Sequence, residues 1–291
     1  MIIGDTLTDI YEKTLDELKR AKEQESQFGD TLELINYSCC LKNPRSRFIG
    51  TQSRMHSLRY LIGELCWYLS GEKSIERISN YSTFWNQLVD EKNEVNSNYG
   101  YRAFHKCINR KNQFQWVVEE LKRDKSSRRA ILLLNLFEED YSQMHKTKDF
   151  PCTIYLHFLV RDNKLNMLTY MRSNDFIYGF CNDVPFFTIL QEILAVTLGI
   201  ELGYYYHNAG SEHIYMRHFH LLNYTPATFS RRNGEIFPII QKADLDWIFE
   251  YLPNVERFIR EGTTSPKEAI NKPDFIRFIV QKLQEYWVPK I

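Results

Sequence analysis

The 291-residue chain lacks an excess of charge of either sign, because 37 Lys and Arg residues balance 37 Asp and Glu residues. Without a net charge there is no overall field to hold a polyanion, so an anion site must be a local group of arginines. This balance argues against a dedicated nucleic-acid binder. Internal repeats, low-complexity linkers and clear domain boundaries are also lacking. We therefore expect a single domain over residues 1–291.

Cysteines are few and have no ligand-like spacing. The six cysteines are scattered without a CxxC pair. The N-terminal segment MIIGDTLTDIYEKTLDELKR is charged and lacks the apolar centre of a secretion signal. Apolar runs such as AILLLNLF are too short to span a bilayer. These absences lead us to expect a reduced, cytoplasmic protein.

Apolar periodicity predicts several helices. An amphipathic helix is expected from residue 5 to about 26, and a largely buried helix over 55–71. A third, apolar helix is expected over 186–200, with a glycine at its end. From about residue 225 the chain is helix-rich, with breaks at Pro253, Pro266 and Pro273.

A β-hairpin is predicted between residues 152 and 173. Apolar and polar residues alternate on both sides of Asp162–Asn163, a two-residue turn signal. With that turn, Cys152 lies opposite Ser173 and beside Arg172. Free cysteines are usually inert core residues. A neighbouring cation lowers the pKa of a thiol, however, and this distinguishes Cys152 as a candidate nucleophile.

Other charged residues allow two interpretations. Glu64 is the one acid in the apolar centre of the helix over 55–71. A glutamate there usually faces solvent. Arg128 and Arg129 precede an apolar strand, where they form either an exposed pair or, with Arg172 and Ser173, a phosphate site.

Four histidines cluster near the end of the last predicted strand. The cluster lacks an HExxH pattern and has no cysteine near it in sequence, so we do not expect a metal. A tyrosine between two of them favours hydrogen bonding to hydroxyl groups instead. The histidines are His207, His213, His218 and His220.

The segment DFPCTIYLHFLVRDNKLNMLTYMRSNDFIYGFCND, followed by GSEHIYMRHF, resembles the thymidylate synthase superfamily. In that family a Pro-Cys nucleophile precedes an Arg-Ser and Asp motif, a glycine turn and a Gly-x-x-His-x-Tyr segment. The resemblance continues upstream through ELCWYL, FW, NYGYRAF and SSRRAI and covers roughly residues 45–220. It implies an α+β fold with a large mixed sheet covered by helices. It also implies a homodimer formed through a sheet face, and the C-terminal region at about 225–291 diverges from the family.

The resemblance implies a role for each candidate residue. Cys152 would add to C6 of a pyrimidine nucleotide, Glu64 would organise water and proton transfer, and Tyr99 would assist proton removal from C5. The implied nucleotide ligands are Arg172, Ser173 and Asn174, with Arg128 and Arg129 from a second subunit, Arg45 or Arg47 for the phosphate, and His213 and Tyr215 for the sugar. The implied folate contacts are Asp175, Trp85 and Gly179. The co-substrate would be 5,10-methylenetetrahydrofolate, without a metal.

Asp183 sets the expected base. Thymidylate synthases carry an asparagine eight residues after the motif Asp, and its amide pairs with uracil O4 and N3–H. An ionised carboxylate only accepts hydrogen bonds, so it fits the cytosine amino group and opposes uracil O4. Addition of the thiolate at C6 makes the base more basic. Protonation at N3 then gives an edge that a carboxylate binds through two charge-assisted hydrogen bonds.

This pattern is similar to viral deoxycytidylate hydroxymethylases and to cytidylate hydroxymethylases of nucleoside-antibiotic pathways. Leu88 stands where the synthases usually carry a second tryptophan, and the ending EYWVPKI differs from the synthase tail. Both departures loosen the shield against water, so we expect water addition and a 5-hydroxymethylcytosine nucleotide as product. CMP and dCMP both stay open. The alternatives are a dUMP-methylating synthase and a catalytically silent relative that binds nucleotide or RNA.

Overall fold

The computed structural model describes residues 1–50, 57–222, 237–263 and 272–287. The strands are β1 (Ile2–Gly4), β2 (Lys22–Gln24), β3 (Thr31–Leu41), β4 (Cys107–Ile108), β5 (Lys111–Asn112), β6 (Ile131–Leu133), β7 (Thr153–Arg161), β8 (Lys164–Asp175) and β9 (Glu201–Tyr215). The α-helices are α1 (Leu7–Leu18), α2 (Leu58–Ser70), α3 (Tyr99–Phe104), α4 (Gln113–Arg123), α5 (Phe137–Asp140), α6 (Cys181–Leu198), α7 (Leu252–Arg260) and α8 (Asp274–Trp287).

Within these ranges seven strands form one mixed sheet. The order is β1-β3-β9-β8-β7-β6, and β2 pairs with β3. β1 runs parallel to β3 and β8 runs parallel to β9, whereas the other pairs are antiparallel. Helix α6 connects the parallel strands β8 and β9, as parallel neighbours require a crossover. The α+β fold and its large mixed sheet are confirmed.

The β7–β8 hairpin has the expected turn, because Arg161 pairs with Lys164 and both turn residues have positive φ angles of 51° and 55°. The register shifts near the open end, where Thr153 pairs with Met171. The bulge adds one residue to β7. Cys152 therefore faces Arg172, and the expected pairing of Cys152 with Ser173 was wrong by one residue.

Two helix predictions need correction. Helix α1 begins after a capping box at Thr6 and ends at Leu18, because the following residues form β2 instead of continuing the helix. Helix α6 begins at Cys181, five residues before the expected start at 186, because a turn over Phe176–Phe180 leads directly into it. Helix α2 stops as expected at Gly71, whose φ angle is +67°.

The segment Phe176–Leu198 is long and apolar enough to cross a membrane by length and composition. Our expectation that all apolar runs are too short was therefore wrong for this segment. Its most apolar window is 72% buried inside the protein, however, as in a core helix. It packs against β8 and β9 and brings its first turn to the C-terminal end of β8.

The C-terminal helices pack against α2. Pro253 lies in the first turn of α7, and α8 starts directly after Pro273. The third predicted break, Pro266, lies outside the described residues. The buried Arg77 bonds to Glu256 of α7, so this contact ties the C-terminal region to the segment after α2.

The two faces of the sheet differ. On β7, the alternate residues Leu156, Phe158 and Val160 are buried in the core that the helices cover. On the opposite face Leu133 and Tyr204 are each 46% exposed. This second face is the less covered one in the described chain.

Candidate active site

The start of β7 and the end of β8 bring Cys152 and Arg172 together. The backbone N–H of Arg172 donates to the carbonyl oxygen of Cys152 at 2.8 Å. Its guanidinium donates to the carbonyl oxygens of Pro151 and Phe150 at 2.9 Å each. Nη2 of the same guanidinium lies 3.6 Å from the Cys152 sulfur. These bonds hold the cation beside the thiol, as the sequence predicted.

Two opposing effects act on the pKa of the Cys152 thiol. Burial raises the pKa of Cys152 above its ordinary value, and the nearby Asp149 and Asp183 raise it further. Arg172 opposes these effects and lowers the pKa, but it does not outweigh burial. Arg172 is therefore the group in the described chain that favours the thiolate over the thiol at Cys152.

Tyr99 contacts the backbone at Cys152. Its hydroxyl oxygen accepts the backbone N–H groups of Cys152 at 2.8 Å and Thr153 at 3.2 Å. Burial raises the pKa of Tyr99 above its ordinary value. The phenol therefore keeps its proton, and it anchors the loop that carries the sulfur.

Glu64 is buried, at 7% exposure, so the solvent-facing interpretation is wrong. The Tyr60 hydroxyl, one helical turn earlier, donates to Oε1 at 3.1 Å. The other oxygen, Oε2, has no partner among the described residues. Burial, followed by repulsion from Asp183, raises the pKa of Glu64 to about 8. The side chain can therefore gain or lose a proton near neutral pH.

Asp183 lies in the first turn of α6 and is half-buried. Asn174 Nδ2 donates to Asp183 Oδ2 at 2.7 Å. Burial raises the pKa of Asp183 to about 7, whereas the bond from Asn174 lowers it and Asp175 raises it. Asp183 influences the pKa values of both Glu64 and Cys152, so the three groups share one electrostatic environment.

The three residues assigned to folate have different surroundings. Asp175 Oδ1 accepts the N–H groups of Ile177 and Tyr178 and so caps the turn before α6. An added Cβ on Gly179 would come within 2.5 Å of Asn174 Nδ2, so the glycine leaves room for the Asp183 cluster. Trp85 is half-buried and packs edge-on against Trp67. Folate contacts for these residues stay predictions.

The residues assigned to the sugar lie on β9. His213 pairs across the parallel β8–β9 ladder with the motif aspartate, Asp175. Burial lowers the pKa of His213, and its Nδ1 lies 3.3 Å from the Ser211 hydroxyl. The Tyr215 ring contacts the His213 ring edge-on at 5.0 Å. Ser173 is half-buried on β8, opposite Ser211.

Arg128 and Arg129 are exposed and lie far from Cys152 of the same chain. Ala130, the next residue, accepts a bond from the backbone N–H of Phe158. Phe158 is six residues along β7 from Cys152, which corresponds to about 20 Å of strand. The arginines do not join Cys152 within one chain.

The two N-terminal candidate arginines bind Glu192 instead of lying open. Arg47 is 1% exposed and bonds to Glu192 Oε2, and it also donates to the carbonyl oxygen of Pro44. A phosphate would reach this buried guanidinium only by breaking the ion pair, so the contacts favour Arg45 over Arg47, and the phosphate role of either arginine stays a prediction. Arg45 also donates to Glu192, at 3.0 Å, with a side chain 45% exposed. Its phosphate contact stays a prediction.

Sequence reasoning missed several side chains around the site. The i, i+4 spacing of Tyr60 and Glu64 on α2 could have indicated their hydrogen bond. Buried Tyr205 and His207 follow each other at strand spacing and reach Asn174, which the sequence alone did not indicate. Glu212 is fully buried, and neither of its carboxyl oxygens has a partner among the described residues.

Comparisons with known proteins identify the family and confirm the fold. The family model described as thymidylate synthase matches residues 5–243. The deoxycytidylate 5-hydroxymethyltransferases of enterobacteria phages T4, T2 and T6 are each 31% identical over 175 residues, covering 57% of this chain and 70% of theirs. Thermostable thymidylate synthase A from Bacillus subtilis superposes with a TM-score of 0.61 at 22% identity, covering 75% of this chain and 82% of that one.

Proposed function

The chain belongs to the thymidylate synthase family, and on that basis we propose that it hydroxymethylates a cytidine monophosphate at C5. The family uses methylenetetrahydrofolate, which supports a one-carbon transfer to a pyrimidine nucleotide. The named activity of the phage relatives favours dCMP over CMP as the nucleotide. The products would be the 5-hydroxymethylcytosine nucleotide and tetrahydrofolate.

Asp183 is the observation that carries the choice of cytosine. Its carboxylate receives one N–H from Asn174 and keeps its remaining acceptor positions for a base. The cytosine amino group supplies a donor to such an acceptor, whereas uracil O4 would face it with a second acceptor. Transfer of a proton to N3 during the reaction strengthens the contact in the reacting state.

The proposed reaction assigns one step to each of the nearby residues. The Cys152 thiolate forms a bond to C6, and C5 then attacks the methylene carbon of the folate. The C5 proton leaves toward a base that Tyr99 helps to position, and tetrahydrofolate departs with the C–N bonding electrons. Water positioned by Glu64 adds to the resulting exocyclic methylene group, and the C6–S bond breaks to release the thiolate.

A homodimer in the cytoplasm completes the proposal. Arg128 and Arg129 lie about 20 Å along the strand from Cys152 of their own chain. If these arginines bind the phosphate of a nucleotide at Cys152, they therefore do so across a subunit interface. The less covered face of the sheet, with Leu133 and Tyr204 exposed, supports pairing of two copies through this face.

Tritium release from 5-tritiated dCMP, CMP and dUMP, with methylenetetrahydrofolate present, tests the proposal. Release from dCMP, with a product heavier by one hydroxymethyl group and tetrahydrofolate as the folate product, is expected. Release from dUMP alone, with a methylated product and stoichiometric dihydrofolate, would identify a thymidylate synthase instead. The absence of release from all three nucleotides would favour a catalytically silent relative.

A further inference from the structure

Hydrogen bonds continue behind Asp183 into the core. Asn174 Nδ2 lies 2.7 Å from Asp183 Oδ2, and Asn174 Oδ1 lies 3.0 Å from His207 Nε2. His207 Nδ1 in turn lies 2.9 Å from the Tyr205 hydroxyl. Tyr205 and His207 are fully buried, and Asn174 is 3% exposed. We name Tyr205, His207 and Asn174 the relay.

Neighbouring strands hold the relay in place. Tyr205 and His207 are two residues apart on β9 and so point to the same face of the sheet, and β9 pairs with β8, which carries Asn174. Phe180 packs edge-on against the His207 ring at 5.3 Å. Gly179 lies directly over the Asn174 amide. The packing leaves the relay little freedom to rearrange.

The relay has a single consistent direction. The Asn174 amide nitrogen donates to the Asp183 carboxylate, so its carbonyl oxygen must accept from His207 Nε2–H. Burial lowers the pKa of His207 to about 3, so the ring is neutral and carries one proton. The other nitrogen, Nδ1, then accepts from the Tyr205 hydroxyl. Every hydrogen-bond donor in the relay therefore points toward Asp183.

We propose that Tyr205 and His207 act through Asn174 as positioning residues that keep Asp183 a hydrogen-bond acceptor and so exclude uracil nucleotides. Without a donor at His207, the Asn174 amide could rotate and present its carbonyl oxygen to Asp183. That orientation favours the protonated acid, because a carbonyl oxygen can only accept. The relay prevents this rotation by occupying the carbonyl oxygen from behind.

The consequence for specificity rests on the proposed function. A protonated Asp183 offers one donor and one acceptor, the pair that uracil O4 and N3–H need. An ionised Asp183 offers acceptors only and repels uracil O4. By favouring the ionised form, the relay makes the side chain selective in a way that the aspartate alone is not.

The surroundings of Asp183 explain why such support is needed. Burial and Asp175 raise its pKa, and the bond from Asn174 is the effect that lowers it. Other titratable groups face Asp183 from the neighbouring elements. Each of them is either neutral or negative, so none of them stabilises the ionised form of Asp183. They are Glu64, Tyr60 and Tyr68 of α2, Cys152 beside β7, Asp175 of β8, and Tyr205 and Glu212 of β9.

The first test is the tautomer of His207 in the nucleotide-free protein, measured by nitrogen-15 NMR of the histidine rings. The His207→Gln variant identifies the signal by its loss. A neutral ring protonated at Nε2, unchanged from pH 8 to pH 5, is expected. A ring protonated at Nδ1, or one that becomes charged near pH 6, would overturn the relay. This result does not depend on any enzymatic activity.

The second test compares the affinities for dCMP and dUMP by calorimetry. His207→Phe removes the donor to Asn174, and Tyr205→Phe removes the donor that selects the tautomer. Each variant should raise the affinity for dUMP relative to dCMP by about tenfold. This is the change expected if loss of the relay raises the pKa of Asp183 by about one unit. His207→Gln keeps an N–H donor and should restore the selectivity. The matched control is Tyr37→Phe, which removes another buried hydroxyl, bonded to Thr14.

The outcomes separate the relay from a merely structural role. If both nucleotides lose affinity in proportion in the Tyr205 and His207 variants, the residues only support the fold and the inference is wrong. If His207→Phe does not fold, Tyr205→Phe provides the same comparison. Should the wild-type protein bind neither nucleotide, the proposed function fails, while the tautomer measurement still decides whether the relay exists.

Discussion

Replacing Asp183 with asparagine should exchange the base preference from dCMP to dUMP. The amide keeps the size of the side chain and offers the donor and acceptor that uracil requires. Cytosine loses a charge-assisted hydrogen bond of about 1.5–3 kcal/mol, and uracil gains a neutral one of about 1 kcal/mol. The ratio of kcat/KM values should therefore change by about 2.5–4 kcal/mol, or roughly 70- to 900-fold.

The same variant should change stability with a definite sign. Burial raises the pKa of Asp183 from 3.8 to about 7. Because the folded pKa lies above the unfolded one, stability that is fully present below pH 3.8 is lost as the pH rises to 7. The loss above pH 7 is at most about 4 kcal/mol. Asp183→Asn should therefore be more stable than the wild type at pH 8, with a much smaller difference at pH 4.

Tritium release gives the kcat/KM values for dCMP and dUMP, and urea unfolding at pH 4 and pH 8 gives the stabilities. The control is Asn182→Ala, which alters the neighbouring side chain, bonded to the carbonyl oxygen of Tyr178, without touching the proposed base contact. Its base preference should match that of the wild type. The reasoning is refuted if Asp183→Asn keeps the preference for dCMP and its stability gain does not depend on pH.

Three further predictions address the nucleophile, the buried glutamate and the dimer. Cys152→Ser should bind dCMP with near wild-type affinity but lose at least about 1,000-fold in tritium release, because the hydroxyl is a far weaker nucleophile; normal turnover would exclude covalent catalysis by Cys152. Burial raises the pKa of Glu64 from 4.5 to about 8, so its stabilising contribution is lost as the pH rises through that interval. Urea unfolding of Glu64→Gln should then show a stability gain over wild type that grows by up to about 1.4 kcal/mol per pH unit, whereas a constant difference would contradict the buried position. Co-expressed Arg128→Ala and Cys152→Ser subunits, each inactive alone, should recover about a quarter of wild-type activity through mixed dimers; no recovery would mean that Arg128 acts within its own chain.

Local sequence signals predicted the parts of the site that depend on short stretches of chain. The Asp162–Asn163 turn predicted the hairpin, because two left-handed residues between alternating strands allow little else. That hairpin brought Cys152 and Arg172 together, and the spacing from Asp175 singled out Asp183. The proximity of Cys152 and Arg172 depends on the turn and the strand period alone, whereas Asp183 was recognised by its place in the family motif.

The tertiary structure decided the features that depend on distant parts of the chain. A bulge moved Cys152 from Ser173 to Arg172, because a strand can gain one residue wherever its partner and the core allow it. Arg47 forms an ion pair with Glu192 of α6, which lies 145 positions away in the sequence.

The sequence by itself determined that Cys152 and Arg172 lie together, because this follows from the hairpin turn and the strand period, and the family resemblance predicted the role of Asp183. Whether each charged group is buried, paired or open to a ligand was decided only by the fold. His207 shows the difference: its identity is plain in the sequence, but its tautomer and its bond to Asn174 exist only once β8 and β9 align. Burial and hydrogen-bond direction are properties of the packed neighbours, and the chain brings those neighbours together from afar.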